Sequence, residues 1–121
     1  MTRLRATFLA LPLFLALAQG CLAAVPNASW NTVAVDRMKV DDCVRWGARA
    51  LQQEGFSVTP ADNDLYGYKG EYMAILICSA PPTVSIVVTV NAGSDEATRQ
   101  QQALQNRFQL ESRMHERDRR R

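Results

Sequence analysis

The chain has 121 residues, of which 47% are hydrophobic and 21% charged, enough for about one small domain. Of its 14 basic residues, Arg3 and Arg5 lie at the N-terminus, and the remaining 12 balance the 12 acidic residues. A neutral domain with a small basic tail attracts nucleic acid only weakly, because nucleic-acid binding normally needs a basic face that neutralises several phosphates. The composition therefore argues against nucleic-acid binding.

The N-terminus has the three-part pattern of a secretory signal peptide. Arg3 and Arg5 precede an apolar run from Ala6 to Ala18, and small residues follow. The run is shorter than the roughly 20 apolar residues of a membrane-spanning helix, although an uncleaved anchor is the alternative. We expect residues 1–24 to be removed, which leaves a periplasmic or secreted protein with no membrane span. Cleavage after Ala18 or after Gly20 satisfies the small-x-small rule as well as cleavage around Ala23 and Ala24 does, so three cleavage sites fit the sequence.

Cys21 lies in the segment "AQGC", which is similar to the site at which bacterial lipoproteins are cut and lipidated. Ala18 and Gln19 depart from that pattern, which starts with an aliphatic residue followed by two small ones. We therefore assign Cys21 to the leader, with lipid anchoring at Cys21 as the alternative. If it were retained without modification, this odd thiol would favour a bond between molecules.

The mature chain divides into a single domain over residues 25–110 and a charged tail over 111–121. The domain has two cysteines, Cys43 and Cys78, and small exported domains often depend on disulfides. We predict that they pair, which would stabilise the fold by about 3 to 4 kcal/mol. The tail has no apolar periodicity, so we expect it to be disordered.

The stretch "VDDCVRWGARALQQEG" predicts an amphipathic helix that ends at Gly55. Cys43 lies on its apolar stripe near the start and therefore faces the core. Trp46 lies beside the stripe, either at the edge of the core or in contact with a partner. The stripe is formed by Val40, Cys43, Val44, Gly47, Ala48 and Leu51.

Two β-branched runs, "EYMAILICS" and "TVSIVVTVN", predict antiparallel strands joined at Pro81-Pro82. Further short strands are predicted in "WNTVAVDRM" and "FSVTP", and "LYGYKG" is interpreted as a turn-rich strand or one arm of a hairpin. A last helix has Ala97, Leu104 and Phe108 on its apolar side. The order β-α-β-β-β-α predicts an α+β two-layer sandwich, with an antiparallel sheet of about four strands and two helices on one face.

The back of this sheet is predicted to be apolar. If Cys78 meets Cys43, the alternating residues Ala74 and Leu76 pack on the helices. A contiguous apolar patch on a small monomer is typical of a contact surface, for a protein partner or a second copy. The alternative is that the N-terminal segment or the charged tail covers the patch. The candidate partner-contact residues are Trp46, Met73, Ile75, Ile77 and Val87.

The sequence contains no recognisable set of catalytic residues. A serine or cysteine nucleophile usually needs a neighbouring base, and His115, the only histidine, lies in the tail. One histidine and two paired cysteines do not make a zinc site. The wide separation of Cys43 and Cys78 also differs from the close spacing of redox thiols. We predict no catalytic residue, no metal and no cofactor.

Carboxylates near predicted turns are the remaining candidates for a metal site or for acid and base catalysis. Asp62, Asp64 and Gly67 match the first, third and sixth positions of a calcium loop, but Tyr66 and Met73 occupy the fifth and twelfth, where oxygen ligands are required. Turn formation is therefore the better interpretation of these aspartates. A glycosidase-like acid and base made from Asp62 or Asp64 with Glu71 is the enzymatic alternative.

The chain resembles small exported bacterial α+β proteins of unknown function. The resemblance is carried by Cys43 in a helix, by the following Gly55-Phe56 and by Cys78 on a central strand, and it spans most of Trp30 to Phe108. It implies export and the fold class, and it implies no particular activity.

Two functions from different classes follow from these observations. The first is an exported, non-enzymatic binding module of unknown partner that inhibits or shields another envelope protein through its apolar sheet face or the Trp46 region. The second is a small hydrolase that uses turn carboxylates.

Overall fold

The computed structural model describes residues 27–91 and 94–121, so the predicted leader and Cys21 lie outside the described residues. It shows an α+β fold, with one antiparallel sheet and two helices, as the sequence predicts. In chain order the elements are β1 (Asn27–Ala34), α1 (Val40–Gln53), β2 (Ser57–Ala61), β3 (Asp64–Lys69), β4 (Tyr72–Ile77), β5 (Thr83–Val90) and α2 (Ser94–Arg120).

The sheet has five strands where the sequence predicts about four, because the "LYGYKG" stretch forms a complete strand, β3. The strand order is β1-β5-β4-β3-β2. Strands β2 to β5 pair with their neighbours in the chain, and β1 pairs antiparallel with β5. The edge strands are therefore β1 and β2, and the α1 connection crosses the sheet from one edge to the other.

Side chains alternate between the two faces of each strand, and one face carries the core. On β5, Val84, Ile86 and Val88 are fully buried, and Ala74 and Leu76 are buried beside them on β4. Helices α1 and α2 contact each other, and both contact the sheet. This is the helix side of the sheet, and we call the opposite side the outer face.

Helix α1 begins with a cap and ends at a glycine. The backbone N–H of Lys39 donates to Oδ2 of Asp42 at 3.2 Å, which satisfies a donor ahead of the first turn. Gly55 follows the helix with φ of 85°, a conformation that glycine adopts without steric cost. The buried residues of α1 are Cys43, Trp46, Gly47, Ala50 and Leu51.

Helix α1 packs tightly on the sheet at Gly47. A Cβ atom at this position would lie 2.7 Å from Cδ1 of Leu65 and 2.9 Å from Cδ2 of Leu76. Glycine therefore allows the helix to approach β3 and β4 closely, and larger residues elsewhere on the buried side fill the core.

Helix α2 is anchored by apolar residues and by a polar network. Leu104 and Phe108 are fully buried. Gln101 is also buried, and its Nε2 donates to Oε1 of Gln105 at 3.0 Å. The same Oε1 accepts from Nδ2 of Asn31 on β1 at 2.9 Å. Gln101 therefore continues the buried side of the helix.

The structure differs from the expectation for residues 111–121, because α2 continues to Arg120. Glu111 is buried, with Oε2 at 3.9 Å from Nη1 of Arg49 on α1. The ring of His115 lies 5.4 Å from that of Trp46, between centroids. These contacts hold the charged segment against α1. In the described part of the chain, neither helix combines the length and the apolar composition of a membrane span.

The predicted disulfide is confirmed. Cys43 and Cys78 are bonded, with a Cα–Cα distance of 5.7 Å, and neither residue is exposed. Cys43 lies in the first turns of α1, and Cys78 directly follows β4. The bond therefore joins the start of the helix to the end of a central strand.

Replacing both Cys43 and Cys78 with Ala opens a cross-linked loop with a sequence separation of 35. Because the link restricts the unfolded chain, we expect the free energy of unfolding to fall by about 3 to 4 kcal/mol. Urea unfolding of the wild type and the double variant measures this difference. Reduced wild type is the control and should lose similar stability. An unchanged midpoint in both samples would contradict the expectation.

Phe108→Ala tests whether α2 is part of the core. Phe108 is fully buried and its ring packs edge-on against Trp46, with centroids 6.0 Å apart. We expect the free energy of unfolding to fall by about 3 to 5 kcal/mol. Leu110→Ala, at a 38% exposed position on the same helix, is the control. Thermal unfolding measures both variants. If Phe108→Ala and Leu110→Ala lost similar free energies of unfolding, burial of Phe108 in the core would not be what stabilises the fold.

Candidate functional site

A continuous row of side chains crosses the outer face from one edge of the sheet to the other. The strand register places Trp30 beside Val87, Val87 beside Ile75, Ile75 beside Tyr66, and Tyr66 beside Thr59. We call these five residues the outer row. Neighbouring side chains on one face of paired strands contact each other, so its first four members form a continuous apolar and aromatic band.

Four of the five candidate contact residues are brought together here. Ile75 and Val87 are in the outer row, and Met73 and Ile77 flank it on β4. All four are partly buried by their neighbours. Trp46 lies elsewhere, on the helix side.

The outer face contains aromatic residues that the sequence interpretation missed. Trp30 is 71% exposed and Tyr68 is 50% exposed. A signal for Trp30 was present, because it is three residues from Val33 in a predicted strand, and an odd separation puts two residues on opposite faces. Val33 is buried on the helix side, so Trp30 points to the outer face.

The C-terminal segment does not cover the outer face. Helix α2 contacts β1, β5 and α1, and Asn31, which meets Gln105 of α2, is on the opposite side of β1 from Trp30. The alternative in which the charged tail covers the apolar patch is therefore wrong. The other alternative, coverage by the N-terminal segment, concerns residues 1–26, outside the described part of the chain.

Trp46 is buried in the helix layer. It is 5% exposed, and its ring packs against Phe108 and His115. Helix α1 packs against α2 as well as against the sheet, so its buried side is wider than the apolar stripe in the sequence and includes Trp46. Trp46 and the outer row are thus on opposite sides of the sheet and cannot form one contact surface.

The structure does not bring the turn carboxylates together. Asp64 opens β3, and Glu71 follows its far end, so strand length separates them by about 17 Å. The carboxyl groups of a glycosidase lie roughly 5 to 9.5 Å apart. Asp64 also has a structural partner, because its Oδ1 accepts from the backbone N–H of Cys78 at 2.9 Å. Asp62 is exposed in the β2–β3 turn with φ of 54°.

A polar cluster fastens α2 to the sheet. The hydroxyl of Tyr72 donates to Oε2 of Glu96 at 2.9 Å, and this hydrogen bond raises the pKa of Tyr72 above its usual value near 10. Nζ of Lys69 donates to the backbone oxygen of Glu54 and to Oε1 of Gln100, both at 2.9 Å. These hydrogen bonds join the first turns of α2 to β4 and to the end of β3.

Among residues 27–91 and 94–121, no group of three or more histidine, cysteine, aspartate and glutamate side chains is arranged to hold a metal ion. Comparison of the chain with protein-family models, curated proteins and solved structures finds no match. The candidate site is the outer face, which the strand register defines through the outer row.

Asp64→Ala separates a structural carboxylate from a catalytic one. Loss of the hydrogen bond to Cys78 leaves the backbone N–H without its present acceptor, so we expect the free energy of unfolding to fall by about 1 to 2 kcal/mol. Glu71→Gln, at an exposed position, is the control and should change stability by less than about 0.5 kcal/mol. Urea unfolding measures both. Unchanged stability together with loss of a hydrolytic activity in Asp64→Ala would instead favour an enzyme.

Proposed function

We propose that this protein is an exported, non-enzymatic binding module whose outer face contacts another protein of the cell envelope, which it inhibits or shields. The observation that carries the proposal is the apolar and aromatic band formed by the first four members of the outer row, from Trp30 to Tyr66, with a 71% exposed tryptophan at one end. Soluble monomers seldom expose a contiguous apolar band without a binding role.

The chemistry of the outer face favours a protein partner. Tryptophan, tyrosine and methionine are enriched at protein interfaces, and Trp30, Tyr66, Tyr68 and Met73 all lie on this face. Hydroxyl-bearing residues such as Ser85 border the apolar band. An apolar centre with polar neighbours resembles the core and rim of a specific interface.

Charge on the outer face is nearly absent. Among the strand residues that face outward, Asp64 alone is charged, and its Oδ1 is hydrogen-bonded to the backbone of Cys78. Such a surface has no cations for phosphates or anionic lipid headgroups. We therefore infer that binding is driven by burial of apolar area and changes little with salt.

The compartment is part of the same proposal. A buried intramolecular disulfide is typical of proteins that fold in an oxidising environment. Together with the leader-like N-terminus, it supports an exported protein that meets its partner outside the cytoplasm.

Two substitutions test the outer face, Trp30→Ala and Ile75→Lys. Loss of an exposed tryptophan anchor should weaken partner binding by about 2 kcal/mol or more, and a lysine in the middle of the row adds an unpaired charge to the interface. Gln102→Lys, at an exposed position of α2, is the control for added charge. Quantitative capture from the envelope fraction compares the three variants with wild type.

We expect wild type and Gln102→Lys to retain the same partner, and Trp30→Ala and Ile75→Lys to lose it while remaining folded by circular dichroism. Equal retention by all four proteins would contradict the proposal. Sedimentation of the purified proteins gives the oligomeric state. A wild-type dimer that Trp30→Ala dissociates would place a second copy, in place of a different protein, on the outer face.

A further inference from the structure

The helix side of the sheet contains a cavity, which lies apart from the outer face. This cavity of about 400 Å³ opens between the segment that follows β1, the side of α1 and the last turns of α2. Its volume is within the range of small-molecule sites in proteins. The cavity exists because α2 continues past Leu110 and lies against α1 near Trp46 and His115.

The cavity has an excess of positive charge. Two of its four arginines have carboxylate partners within its wall: Nε of Arg37 lies 3.8 Å from Oδ2 of Asp36, and Nε of Arg120 lies 3.5 Å from Oε1 of Glu116. The other two, Arg113 and Arg119, form no ion pair with any described residue. Two guanidinium groups are therefore free to bind an anion.

The wall of the cavity also includes Trp46, whose indole Nε1–H is buried without a hydrogen-bond acceptor. In the described part of the chain it is the one buried side-chain nitrogen or oxygen atom without a partner. Because Nε1 has almost no solvent-accessible surface, this donor is closed off from the cavity, and Trp46 contributes its other atoms to the wall.

We propose that this cavity binds a small polyanion with two or more phosphate or carboxylate groups, held by Arg113 and Arg119 and lying against Trp46. A guanidinium group offers paired donors that match the oxygens of phosphate and carboxylate. The two arginines are six residues apart in α2, about 9 Å along the helix axis. That separation suits a ligand with two anionic groups better than a single small anion.

Trp46 supplies the signal for the test. The chain has two tryptophans, so in a Trp30→Phe background the fluorescence reports on Trp46 alone. Inorganic pyrophosphate is the phosphate probe and citrate the carboxylate probe, and calorimetry repeats each titration without relying on fluorescence. We expect a saturable change with at least one probe, and the stronger of the two shows which oxyanion the cavity prefers.

Arg113→Gln and Arg119→Gln should each weaken binding of that probe by about tenfold. Arg117→Gln is the matched control, since it removes the same charge from the same exposed helix segment outside the cavity wall. Its affinity should equal that of the background protein. Circular dichroism shows whether each variant is folded.

Two results would overturn the proposal. One is the absence of saturable binding of both probes at millimolar concentrations by fluorescence and by calorimetry. The other is equal weakening by Arg117→Gln, which would mean that the anion associates with the general charge of α2 and not with the cavity. Neither result bears on the outer face, which is on the other side of the sheet.

Discussion

The bond between Cys43 and Cys78 is the constraint on which the rest of the structure depends. It joins the start of α1 to the end of β4 and so holds that helix against one side of the sheet. Because side chains alternate along a strand, the side on which α1 packs decides whether each residue of β4 and β5 faces the helices or the outer face. Ala74 and Leu76 then enter the core, and Ile75 faces outward.

The two sides of the sheet have different chemistry as a result. The outer face is apolar and aromatic. Its one charged strand residue is Asp64, whose Oδ1 accepts a hydrogen bond from the backbone N–H of Cys78. The helix side holds the core and, at one end, an arginine-lined cavity. Apolar burial is insensitive to salt, whereas attraction between exposed charges is screened, so contacts on the two sides would respond differently to ionic strength.

The end of α2 shows where a local pattern is insufficient. Residues 111–121 have no apolar stripe, and a polar helix of this length is marginal in isolation. The segment is helical in the protein because Leu104 and Phe108 anchor the preceding turns, and because Glu111 and His115 meet residues of α1. Those partners are more than 60 residues away in the chain, so no window of sequence around the tail reveals them.

The sequence by itself determined the α+β class, the helix around Cys43, the strands around Ala74 and Ile86, and the pairing of the two cysteines, because hydrophobic period and cysteine count are local or compositional signals. The tertiary structure alone decided that β1 lies beside β5. That lateral order brings Trp30 into the outer row and places Trp46 on the opposite side of the sheet. The alternation of residues tells which face a side chain takes, but strand neighbours follow from the packing of the whole chain.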